Sequence, residues 1–123
     1  MKSTIDKLIP TAVEAVKNKL TTDPAKLKVE KGYNGAVASF GTGMHHNGVL
    51  ATVAMFSESK GDVDKKKLLE AVFYVLKKQR TGITETNLFD YLLTREQELP
   101  RLKKELTNIS IALKLAIRTF DLS

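Results

Sequence analysis

GYNGAVASFGTGMHHNGVLATVAMFS, residues 32–57, contains no Lys, Arg, Asp or Glu in a chain of which 28% is charged. A segment that avoids charge is buried or docked, because an unpaired charge is costly to remove from water. Five of the seven glycines lie here (Gly32, Gly35, Gly41, Gly43 and Gly48), with His45, His46 and Asn47, so no continuous apolar run reaches membrane-spanning length. The spacing predicts two short buried helices joined by a polar elbow. Tyr33, Ala36, Val37 and Phe40 recur at helical intervals, Gly41-Thr42-Gly43 is expected to break the first helix, and Asn47 to cap a second carrying Val49, Leu50, Val53, Ala54 and Phe56. This hairpin is expected at the centre of the core.

Outward from it, helical periodicity continues in both directions and no run alternates as a strand. The first helix carries Ile5, Leu8, Ile9, Ala12, Val13, Val16 and Leu20 on one face, and Pro10 either kinks it or marks where its regular part begins. Thr21 to Lys31, with Pro24, reads as a basic loop or loose turn. After Lys60-Gly61-Asp62, a helix from about Val63 to Arg80 buries Leu69, Val72, Phe73 and Leu76, and Gly82 follows it. Thr84 is expected to cap a short acidic helix with Leu88, Phe89, Leu92 and Leu93 apolar. The last helix, from about Glu98 to Phe120, buries Leu99, Leu102, Leu106, Ile109, Leu113, Ile117 and Phe120. The expected fold is all-α: about six helices in one compact single-domain bundle over residues 1–123.

At 123 residues such a bundle buries a real core without staples, and there is no cysteine to supply one. The lack of cysteine and of any secretory or transmembrane run points to a reducing compartment, the cytoplasm. The net charge is +6, distributed as +3 over residues 1–31, −1 over 32–59, +4 over 60–80, −3 over 81–98 and +3 over 99–123. A basic excess suits a polyanionic partner or merely keeps a domain soluble. Its alternation suits stacking of copies, one copy's basic surface against the acidic region of the next, with Glu96 and Glu98 among the acidic candidates.

Catalytic chemistry is not visible. His45 and His46 are adjacent, so they point about 100° apart on a helix and cannot share an ion, and no third histidine exists. No cysteine nucleophile and no activated Ser or Thr motif is present, and Gly41-Thr42-Gly43 lacks the Lys-Ser/Thr of a phosphate loop. No metal or cofactor is expected. Two surfaces remain. Lys67, Tyr74, Lys77 and Lys78, with Arg80 beyond them, fall opposite the core of the 63–80 helix, where a ring can stack on a base and amines meet phosphates, or where a solvated face merely includes a tyrosine. On the last helix Ile111 and Leu115 project away from the core among Lys104, Lys114 and Arg118, to be covered by a partner or by the bundle itself.

Tyr33 to Phe56 resembles the signature of the small all-helical subunit of the Cmr complex, the type III-B CRISPR effector. Tyr33, Phe40, Met44, Asn47, Gly48, Val49 and Phe56 occupy the signature's places, with Gly41 where a proline is usual, Val49 in place of leucine, and no Trp in the last helix. The resemblance implies a non-catalytic subunit, several copies of which stack along a filament-like assembly beside the other Cmr subunits. Guide RNA and target RNA are the implied nucleic-acid partners. Two alternatives stand beside it: a helical protein-interaction module whose charge is incidental, and a small enzyme using His45, His46 and an acidic residue as an acid–base group.

Overall fold

The computed structural model describes residues 4–23, 28–58 and 64–122. Six helices account for most of them: α1 (Thr4–Lys19), α2 (Gly32–Asn47), α3 (Val49–Ser57), α4 (Lys65–Gln79), α5 (Leu88–Leu93) and α6 (Leu99–Ile117), with a single 3-10 turn at Glu96–Glu98 leading into α6. Helix α1 continues through Pro10, so the proline neither begins nor ends it. The Lys60-Gly61-Asp62 turn and Val63 lie outside the described residues.

Helices α1, α2 and α4 pack around α6, and α3 bridges α2 to α4 and α5. Their apolar faces merge into one contiguous core containing Leu8, Val16, Tyr33, Phe40, Met44, Val53, Leu76, Leu92, Leu106 and Leu113. The uncharged segment lies within it: Tyr33, Phe40 and Phe56 are buried, and the two phenylalanine rings meet edge to face at 5.3 Å between centroids. Tyr33 also ties α2 to the start of α4, its hydroxyl donating to the Asp64 carbonyl oxygen at 3.0 Å. Burial, reinforced by the Asp64 and Glu30 carboxylates, pushes this phenol up to about 12, so it remains a neutral donor.

The break in the uncharged segment falls later than its composition suggests. Gly41-Thr42-Gly43 lies inside a continuous α2, and Asn47 is its last residue rather than the cap of α3. The turn is made at Gly48, with φ 90° and ψ 163° and no side-chain cap. That region of backbone space belongs almost wholly to glycine, costing any other residue about 1–3 kcal/mol. Gly43 instead permits close packing. A Cβ on Gly43 would lie 3.0 Å from Thr52 Cγ2, and one on Gly41 would meet Ser110 Oγ at 3.5 Å.

Other boundaries also shift. The 21–31 stretch is not simply a loop: Thr21–Asp23 (β1) pairs antiparallel with Lys28–Val29 (β2), which pairs parallel with Asp121–Leu122 (β3). Two or three residues per strand make this a clip on an all-α body. Asn87, not Thr84, caps α5, its Oδ1 accepting from the Asp90 amide at 2.8 Å. Leu93 is exposed whereas Tyr91 is buried, and Leu99 and Phe120 are only partly covered.

Candidate nucleic-acid interface

Helix α4 begins at Asp64, whose carboxylate accepts from the Lys66 amide at 2.9 Å. The cap is followed at once by Lys65, Lys66 and Lys67, with no acidic residue in the first turn. Cations are disfavoured at this positive end of the helix dipole, and the Asp64 carboxylate offsets only part of that. Lys77 and Lys78 in the last turn complement the dipole and need no further explanation. Of the first-turn lysines, Lys65 is half-buried with its Nζ over the Phe56 ring at 5.1 Å, whereas Lys66 and Lys67 are exposed.

The exposed arc of α4 divides into two stripes. At 100° per residue Lys67, Tyr74 and Lys78 fall within about 40° of one another, and Lys66, Glu70 and Lys77, with the buried Phe73 at the margin, within an adjoining arc of about 60°. Lys66, Lys67, Lys77 and Lys78 are all exposed. Tyr74 is half-buried, accepts from Asn18 Nδ2 of α1 at 3.4 Å, and carries Lys78 Nζ over its ring at 5.4 Å. Lys77 Nζ lies 4.8 Å from the centroid of the Phe73 ring instead. Both pairs set an ammonium beside an aromatic face.

Arg80 has a different role from the RNA contact expected of it. Its guanidinium pairs with Glu105 at 2.8 Å and Glu98 at 3.5 Å and donates to the Tyr91 hydroxyl at 3.1 Å. Burial alone would lower its pKa, but the bond to Glu105 outweighs that and raises it above the ordinary value. The residue therefore joins α4 to α5, to the 3-10 turn and to α6. Around the same ring, Arg95 lies 4.1 Å from the Tyr91 centroid and pairs with Glu85 at 3.4 Å. Much of the acidic 81–98 charge is thus neutralised within the chain. Glu98 meets Arg80 and also Arg101 at 4.0 Å, so it is not a free acid awaiting another copy, whereas Glu96 is exposed.

On α6, Lys104, Ile111, Leu115 and Arg118 line up within about 60° on the face away from the core. All four are exposed, and Ile111 and Leu115 leave 44% and 42% of their surface in water. Among the described residues no hydrogen bond or ion pair links this stripe to the α4 arc. His45 and His46, exposed in the last turn of α2, stack edge to face on each other at 5.2 Å. Among the described residues no group of three His, Cys, Asp or Glu side chains could hold a metal ion.

Sequence reasoning passed over Lys65 and Lys66, whose signal is their place in the first turn of a helix. It also passed over the partners of Arg80, which are distant in the chain.

A small helical bundle with a lysine-rich helix on its surface, and a central helix whose outer face sets Ile111 and Leu115 among Lys104 and Arg118, defines a compact all-α domain. The family model described as CRISPR-associated protein (Cas_Cmr5) matches residues 7–113. The chain therefore belongs to the Cmr5 family and is a CRISPR-associated subunit of a Cmr complex. No curated protein and no solved structure matches it.

Proposed function

We propose that the protein is a non-catalytic, RNA-binding structural subunit of a type III-B Cmr effector, stacking along the backbone and helping to hold target RNA in antiviral defence. The observation that carries the reading is the exposed arc of α4, which bears Lys66 and Lys67 in the first turn, against the helix dipole, and Lys77 and Lys78 in the last. Tyr74 at its edge adds an aromatic surface. The α6 stripe supplies a second contact, with Ile111 and Leu115 against another Cmr subunit and Lys104 and Arg118 beside RNA or protein. Stacking of copies relies on a template, since exposed ion pairs are worth only about 0–1 kcal/mol each and Glu98 is already engaged. No helix among the described residues is long and apolar enough to cross a membrane, which accords with a cytoplasmic complex.

The test is the salt dependence of binding between the isolated chain and single-stranded RNA. If about four amines meet phosphates, affinity falls roughly fiftyfold between about 50 and 200 mM salt, a log–log slope near −3. Binding insensitive to salt, or none at low salt, removes the RNA role and leaves a protein-interaction module carried by the α6 stripe.

A further inference from the structure

A cavity of about 230 Å³ opens beside the α4 arc, between that helix, the end of α3 and the start of α5. Leu69, Phe73 and Phe89 give it apolar walls, and Lys66, Glu70 and Thr86 bring polar groups to it. It is smaller than the roughly 300–1,000 Å³ of sites that take drug-sized ligands, and suits one planar heteroaromatic ring. Lys66 stands on its wall, and the Lys77 ammonium sits against the Phe73 ring that also lines it. Glu70 is the anomaly. It is an exposed carboxylate set among four exposed lysines, where it opposes any phosphate that those lysines attract.

We propose that this cavity receives one unstacked base of the bound RNA, one bearing an exocyclic amino group. The inference rests on the RNA-binding reading above. The base lies against the apolar walls, Glu70 accepts a hydrogen bond from its amino group, and Lys66 meets a flanking phosphate. Each charge then has a complement: the amines meet the backbone phosphates, and the carboxylate meets an amino donor on a base. Uracil, with a carbonyl oxygen in place of that amino group, offers Glu70 only its N3–H, flanked by two acceptor oxygens that the carboxylate repels. The Asn87 amide does not take part, because both of its ends are committed to Asp90 in capping α5.

The experiment compares binding of equal-length oligocytidylate and oligouridylate to the full chain and to Glu70→Ala, a substitution on an exposed helix position that keeps helix propensity high. The wild-type chain is expected to favour cytidylate by about tenfold. In Glu70→Ala the preference disappears while affinity for uridylate rises, since a repulsive carboxylate has gone. Equal wild-type affinity for the two oligomers, or a preference that survives Glu70→Ala, overturns the cavity assignment while leaving backbone binding intact. Failure of both oligomers to bind even at low salt overturns the RNA reading and the cavity assignment with it.

Discussion

Phe40→Ala is expected to destabilise the protein by about 3–5 kcal/mol, enough to unfold a domain at the marginal end of the usual range of about 5–15 kcal/mol. The ring is fully buried in α2 and packs edge to face on Phe56 of α3, so truncation removes both apolar burial and an aromatic pair at the hairpin that organises the core. Thermal melting followed by circular dichroism checks it. A chain unfolded or molten at ambient temperature is the expected outcome. Melting like that of the wild type would mean that the uncharged segment serves a partner rather than the core.

Replacing Ile111 and Leu115 together by Glu is expected to remove the chain from the assembled Cmr complex while leaving the isolated chain folded. Both side chains already expose more than two-fifths of their surface, so in the free protein the changes stay within the small range of surface substitutions, and Glu is a good helix former. In an interface the same changes forfeit roughly 1 kcal/mol of apolar burial at each position and in addition bury two carboxylates. Reconstitution with the other Cmr subunits, followed by counting copies of this chain, reads the effect. Incorporation at the wild-type copy number would show that another face makes the contact.

The four long helices were legible because their apolar residues recur at a period kept for about four to five turns, and periodicity needs no tertiary information. Gly41 and Gly43 read as breakers because glycine disfavours a helix by about 1 kcal/mol. In the fold Gly43 faces Thr52 so closely that a Cβ there would crowd it, whereas one on Gly41 would make only ordinary contact with Ser110. Which glycine permits packing and which makes the turn depends on a neighbour the local sequence does not name. Thr52 and Tyr91 joined the core unannounced because their polar atoms mark them as surface residues by type. The β1–β2–β3 clip has strands too short to carry any period.

At the candidate site, helical arithmetic alone placed Lys67, Lys77 and Lys78 on the surface. The division of the α4 arc into a Tyr74 stripe and a Phe73 stripe follows from what packs beside each, α1 on one side and the cavity on the other. Arg80 was misread for a related reason. Its partners Glu98 and Glu105 lie 18 and 25 residues away, and a cation at the end of a basic helix looks free until the fold returns a carboxylate to it.

The most direct test of the account is RNA affinity as a function of salt for Lys67→Glu, Lys77→Glu and Lys78→Glu combined, measured against the wild-type chain. All three side chains are exposed and make no hydrogen bond or ion pair among the described residues, so the variant should stay folded, with only the small loss of stability that Glu in the last turn of α4 brings, checked by circular dichroism. Affinity for single-stranded RNA should fall by more than about tenfold at low salt, and the log–log slope should flatten by about two as three phosphate contacts are lost. Wild-type affinity and slope in the triple variant would contradict the assignment of the α4 arc as the RNA surface.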